Sequence, residues 1–208
     1  MKGMSLFITG TDTSVGKTRV TTHLIERLRS AGINAVGMKP IECGGREDAK
    51  AIFSASGGIS SGLTLDEVNP ISLPEPLAPA AATVPHHIDL AQIRAGYKSL
   101  SDRFDCIIVE GAGGWLVPLD EGRTMADLAI ELALPVLIVA ANRLGALNHT
   151  LLTVSAIEKA GLVCRGIFLN DFGAATDLSR ESNGRVLRKM LPNIRIFEMD
   201  FDGIIEFF

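Results

Sequence analysis

Residues 105–109 and 135–141 are apolar runs without alternation: Cys106-Ile107-Ile108-Val109 in the first, and Val136-Leu137-Ile138-Val139-Ala140-Ala141 in the second. A strand with one wet face alternates polar and apolar residues. A strand that does not alternate needs cover on both faces. Shorter strand patterns occupy residues 5–9, 34–38 and 162–170, with a possible edge strand at 194–197. Helical spacing fills the gaps at 17–31, 46–55, 90–101, 125–132, 146–160 and 178–191. Buried strands alternating with helices predict an α/β fold: a three-layer α/β/α domain whose mostly parallel sheet carries helices on both faces. The 208 residues suffice for one such core, so residues 1–208 read as a single domain. Residues 57–85 interrupt the rhythm with five of the nine prolines. They read as a long irregular loop of the kind that often carries function.

The bulk composition removes several classes of function. The net charge is −4, and no Lys/Arg run or basic aromatic strand is present, so a nucleic-acid surface is not expected. The three cysteines, Cys43, Cys106 and Cys164, are odd in number and far apart. A disulfide framework is therefore not expected, and a reducing cytosol is. The apolar stretch 4–8 is too short to span a membrane or direct export. A soluble cytoplasmic protein with no membrane partner follows as the expectation.

The first strand runs into Gly10-Thr11-Asp12-Thr13-Ser14-Val15-Gly16-Lys17-Thr18, and a helix follows. A glycine-rich turn between strand and helix exposes backbone N–H groups where the helix dipole adds positive potential, so phosphate oxygens bind there. In such a loop Lys17 reaches the β- and γ-phosphates and the Thr18 hydroxyl binds Mg²⁺. The usual motif places four residues between its first glycine and Gly-Lys. Here five intervene, so the loop is a stretched variant.

Further candidates lie at strand ends, where an α/β sheet opens its ligand crevice. Lys39-Pro40 ends the second strand. Lys39 is either a second cation for phosphoryl transfer or a solvated lysine. Glu110 ends the strand 105–109 before Gly111-Ala112-Gly113-Gly114, a place for a metal-binding acid beside glycines that allow close backbone approach. Asp48 opens a helix and is either a metal ligand or a dipole partner. The helix start Gly145-Ala146-Leu147-Asn148 either holds a carboxylate or is plainly capped. Asn170-Asp171 either reads a base edge or begins a turn. His86-His87 has no nearby acids or cysteines and reads as surface, and Trp115 reads as packing.

Together these stretches resemble the dethiobiotin synthetase family, within the P-loop NTPase fold. The likeness rests on the loop from Gly10 to Thr18, Lys39-Pro40-Ile41-Glu42-Cys43-Gly44, Asp48, Val68-Asn69-Pro70 and Glu75-Pro76. It continues through Glu110-Gly111-Ala112-Gly113-Gly114-Trp115, Leu144-Gly145 with Asn148-His149, and Asn170-Asp171. It runs over residues 6–192.

The resemblance implies a reaction in which 7,8-diaminopelargonic acid takes up CO₂ or bicarbonate as a carbamate. The carbamate attacks the γ-phosphate of ATP, and the second amine displaces phosphate to close the ureido ring. It implies catalytic roles for Lys17 and Lys39, and Mg²⁺ held by Thr18, Asp48 and Glu110. Nucleotide contacts would come from Thr13, Ser14, Val15, Gly16, Lys17, Thr18, Arg19, Asp48, Glu110, Gly111, Ala112, Gly113, Asn170 and Asp171. Substrate contacts would come from Thr13, Lys39, Cys43, Gly113 and the helix start Gly145, Ala146, Leu147 and Asn148. That helix start would belong to the other subunit of a homodimer.

Three positions depart from the family pattern. Cys43 stands where serine is usual, and thiols donate weakly. Asn183 stands where a tyrosine often faces the substrate. Met199-Asp200-Phe201-Asp202 replaces the segment that closes over adenine, which leaves base selectivity open. The rivals are a regulatory ATPase of partition or septum-site type and a small-molecule kinase. The regulatory ATPases place a second lysine where this chain has Asp12.

Overall fold

The computed structural model describes residues 5–83, 88–171 and 177–198. Within them the chain runs β1 (Leu6–Gly10), α1 (Lys17–Ser30), β2 (Ala35–Met38), β3 (Ile41–Cys43), α2 (Glu47–Ala55), α3 (Leu65–Val68) and β4 (Ile71–Leu73). It continues through α4 (Leu90–Ser101), β5 (Cys106–Gly114), α5 (Met125–Leu132), β6 (Val136–Ala141), α6 (Ala146–Lys159), β7 (Cys164–Asn170), α7 (Arg180–Met190) and β8 (Arg195–Glu198).

The main sheet has the order β2-β5-β1-β6-β7-β8, and each neighbouring pair is parallel. Its strands alternate between two apolar surfaces, as a side-chain period of two requires. Leu6, Ile8, Cys106, Ile108, Leu137 and Val139 pack with Val20, Leu24, Ile25 and Leu28 of α1 and Ile52 of α2. Phe7, Ile107, Val109, Ile138 and Ala140 face the other way, onto Ile93 of α4, Met125 and Leu128 of α5, and Val154 and Ile157 of α6. The sheet is covered on both faces, as its non-alternating strands require.

The winding sets the place of the site. The chain moves outward from β1 to β2, then β5 and β6 return on either side of β1. The reversal places the C-terminal ends of β1, β2 and β5 together, which is where a doubly wound sheet opens a crevice.

Three expectations are corrected. Strand β5 does not stop at Val109. It runs through Glu110 to Gly114, so Glu110 is interior to the strand, paired in register with Ile8. Residues 57–83 are not irregular throughout. They hold α3, β4 and two short 3-10 turns at Gly58–Ser61 and Pro79–Ala81. Strand β4 pairs in parallel with β3 as a separate two-stranded sheet. Strands of three residues are below the length at which periodicity is visible. Asn69 fastens this small sheet. Its side-chain nitrogen donates to Lys39 O at 2.8 Å and Ile71 O at 3.0 Å, and its oxygen accepts from Arg46 Nε at 2.9 Å. The start of helix α7 is also corrected: Leu178 lies in the turn before it.

Among the described residues, no helix is long and apolar enough to cross a membrane. Cys106 and Cys164 carry thiols pushed up to about 12 by burial, which makes both inert. His86-His87 and the segment Met199 to Asp202 lie outside the described residues.

Candidate active site

The phosphate loop is built by conformation as well as composition. Thr11 N donates to Val139 O, and Gly10 pairs with Gly114, so the loop leaves β1 from between two strands. Ser14 and Gly16 take positive φ values of 56° and 94°. At Gly16 an added Cβ would also lie 2.1 Å from Asn170 Nδ2, so only glycine fits. Asn170 in turn donates from Nδ2 to Val15 O at 2.9 Å, bracing the loop from β7. Asp12 accepts from Thr13 N at 2.7 Å, and its carbonyl accepts from Lys17 Nζ at 3.1 Å. Lys17 therefore folds back over its own loop. Burial pushes its pKa down to about 8, reinforced by Lys39 and opposed by the Glu110, Asp48 and Asp12 charges.

Lys39 is the centre of the site. It lies at the end of β2 and is 2 % exposed, so the reading of it as a solvated lysine does not hold. Its Nζ donates to Glu110 Oε1 at 2.6 Å and to Asp48 Oδ2 at 3.0 Å. Burial alone would lower the Lys39 pKa. The Glu110 and Asp48 charges and hydrogen bonds outweigh it, and the pKa is raised. Burial would likewise raise Asp48, but Lys39, a hydrogen bond from Thr18, and Lys17 hold it below the usual carboxylate range. An ammonium has three donors. Two are engaged by the acids, and among the described residues the third has no partner.

Thr18 donates from Oγ1 to Glu110 Oε1 at 2.9 Å. Asp48 and Glu110, from α2 and β5, thus hold Lys39, and Thr18 from α1 joins them through Glu110. Glu110 is fully buried, and among the described residues its Oε2 has no hydrogen-bond partner. A buried carboxylate oxygen left unsatisfied is costly. An oxygen ligand awaiting a cation accounts for it. With the Thr18 hydroxyl and the half-exposed Asp48 carboxylate alongside, the donor set is all oxygen and suits Mg²⁺. The residues present therefore fit that ion.

A cavity of about 500 Å³ opens over these groups, lined by Lys17, Lys39, Cys43, Asp48 and Gly113 among others. Thr13, Ser14 and Ala112 line it too, as do Glu42 and the Pro76–Pro79 stretch, to which the sequence reading gave no site role. Cys43 is half-buried, and burial pushes its thiol up.

The remaining candidates lie elsewhere. Arg19 is exposed on α1, and Gly111 is buried within β5. Asp171 sits at the end of β7 near Arg180 Nε, at 3.7 Å. Gly145 starts α6 with φ 91°, and no side chain caps that helix among the described residues. Neither Gly145, Ala146, Leu147 nor Asn148 lines the 500 Å³ cavity. His149 of the same helix lines a second cavity of about 320 Å³ with Thr11, Trp115, Leu116 and Leu152. Trp115 is packing, as expected, edge-on to Phe7 at 6.4 Å between ring centroids. Asn183 does not face either cavity. It is buried and donates to Asn142 Oδ1 at 2.8 Å and to Arg143 O at 3.2 Å, fixing the loop before α6.

The AAA domain family model matches residues 4–197. An ATP-dependent dethiobiotin synthetase from Akkermansia muciniphila is 46 % identical, over 80 % of this chain and 78 % of that protein. One from Methanocaldococcus jannaschii is 38 % identical, over 96 % of this chain and 99 % of that protein. Among solved structures, the MinC:MinD cell division complex of Aquifex aeolicus aligns with TM-score 0.60 at 14 % identity, covering 99 % of this chain and 85 % of that one. The hydrogenase maturation factor HypB of Archaeoglobus fulgidus aligns with TM-score 0.56 at 18 % identity, covering 99 % of this chain and 88 % of that one. The structural likenesses establish the P-loop α/β fold alone. The sequence likeness extends over most of both chains, and with it the chain belongs to the dethiobiotin synthetase family.

Proposed function

We propose that this chain is an ATP- and Mg²⁺-dependent cyclo-ligase that carboxylates 7,8-diaminopelargonic acid with CO₂ and closes the ureido ring, giving dethiobiotin, ADP and phosphate in the cytoplasm. The observation that carries it is Lys39 Nζ, held by Glu110 and Asp48 with one donor to spare, in the wall of the cavity that Lys17 also lines.

The residues divide the work. The loop N–H groups from Thr13 to Thr18 and the Lys17 ammonium take the phosphates of ATP. Mg²⁺, held by Thr18, Asp48 and Glu110, would offset phosphate charge. The free Lys39 donor orients a carbamate oxygen toward the γ-phosphate and stabilises the charge that develops there. The first step joins a carbamate oxygen to phosphorus and releases ADP. In the second, the other amine attacks the carbamate carbon, and phosphate leaves with that oxygen. Arg19, Gly111, Ala112, Asn170 and Asp171 complete the nucleotide side in this reading. Cys43 and Gly113 meet the diamine.

The substrate carboxylate goes to the helix start Gly145–Asn148 of a second subunit. Two observations support the homodimer. That helix start is absent from the wall of its own chain's main cavity. Beside it lie Leu116, Leu144 and Leu152, exposed by 64 %, 82 % and 62 %. Exposed apolar groups gathered near one element mark an interaction face. A regulatory ATPase is disfavoured by Asp12, whose side chain serves Thr13 and whose position carries no lysine.

Purified protein is expected to release phosphate only when the diamine, bicarbonate and Mg-ATP are all present. Steady phosphate release without the diamine would contradict the ligase reading and favour an ATPase switch. Replacement Lys39→Ala is expected to lower kcat by about 10²–10³-fold while ADP still binds, because the loop and Lys17 hold the phosphates. It also leaves the buried Glu110 without its cation, so stability should fall by about 3–5 kcal/mol in urea unfolding. An unchanged turnover number removes Lys39 from the mechanism. Leu152→Glu is expected to sediment as a monomer and lose turnover. If Leu152→Glu remains fully active as a monomer, the shared site is wrong.

A further inference from the structure

Glu42 has no part in the mechanism above, yet it lines the same cavity and is 7 % exposed. Burying a third carboxylate beside Asp48 and Glu110 is unfavourable unless its oxygens are satisfied. Both are. Oε1 accepts from Asp48 N at 2.9 Å, and Oε2 accepts from Ala49 N at 2.8 Å. These are first-turn N–H groups of α2, which have no partner within the helix.

The N-cap residue of α2 does not provide this service. Arg46 makes no side-chain cap. Its guanidinium is engaged with Asn69, Asp66 and the carbonyls of Leu65 and Asn69. The cap on α2 therefore comes from β3, across the turn at Gly44-Gly45. One of the two capped N–H groups belongs to Asp48 itself. The Asp48 side chain is 46 % exposed and is held by Lys39 Nζ at 3.0 Å. The backbone bond from Glu42 thus restrains where that carboxylate starts.

We propose that Glu42 is a positioning residue: it locks the first turn of α2 so that Asp48 is preset to ligate Mg²⁺. The proposal rests on the reading of Asp48 as a metal ligand, and its test separates the two.

The test uses the full chain and calorimetric ADP binding, measured once in excess Mg²⁺ and once in EDTA. The ratio of the two affinities reports the metal's contribution without turnover. Glu42→Ala is expected to shrink that ratio by about tenfold or more, the scale for removing an outer partner of a metal ligand. ADP affinity in EDTA should stay as in the parent. Glu42→Gln keeps the side-chain volume and one accepting oxygen, so it should fall between parent and Ala, and it serves if the Ala variant does not fold. The double variant with Asp48→Asn should be no worse than Asp48→Asn alone, because both act through one carboxylate.

If both Glu42 variants keep the parent ratio while Asp48→Asn loses it, the proposal is overturned and the metal site stands. Equal loss in Mg²⁺ and in EDTA, or additive losses in the double variant, overturn it as well. If Asp48→Asn keeps the parent ratio, the metal reading fails, and Glu42's role with it.

Discussion

The ion pair between Lys39 and Glu110 organises the whole site. Its atoms lie 2.6 Å apart, and the two side chains are 3 % and 0 % exposed. Such a pair seldom stabilises a fold, since desolvating two charges costs about as much as their attraction returns. Its presence in the middle of the sheet's crevice therefore needs a functional account. The pair links the end of β2 to the interior of β5, strands that are already neighbours in register, with Met38 opposite Val109. Asp48 from α2 and Thr18 from α1 then join it. Side chains from four elements, β2, β5, α2 and α1, thus form one connected cluster.

That convergence explains which parts of the sequence were legible. Strands such as 136–141 were visible because burial on both faces abolishes alternation, a pattern that only a covered parallel sheet explains. The stretched phosphate loop was legible because Gly16 meets two independent demands, a positive φ and the close approach of Asn170. Lys39 and Asp48 were ambiguous from position alone. Their burial and pairing depend on the fold bringing them within 3.0 Å of each other, and no local spacing encodes that distance. Resemblance to a family supplied what local patterns could not. Glu42 was missed because a buried cap from another strand has no sequence signature. The clue available was negative: Arg46, a poor capping residue, precedes a helix that must still be capped.

The same scaffold serves other ends. The MinC:MinD complex and HypB share the fold at 14 % and 18 % identity. Fold likeness at that level leaves the chemistry open. The side chains around the loop differ in kind here. Asp12 occupies the position where a partition-type ATPase is expected to carry a second lysine, while the added cation here comes from Lys39 at the end of β2, which β5 separates from β1. A charge held at a strand end by two acids, and not carried on the loop, fits an enzyme that must hold a small carbamate, rather than a switch that senses a nucleotide.

In the proposed reaction a carbamate oxygen, oriented by Lys39, attacks the γ-phosphate. If so, an oxygen of the carbon source must leave with the phosphate when the ring closes. Turnover with ¹⁸O-labelled bicarbonate, unlabelled water and Mg-ATP, followed by mass analysis of the released phosphate, reads this directly. The account predicts one labelled oxygen in each phosphate formed. Phosphate that carries oxygen from water alone would contradict it.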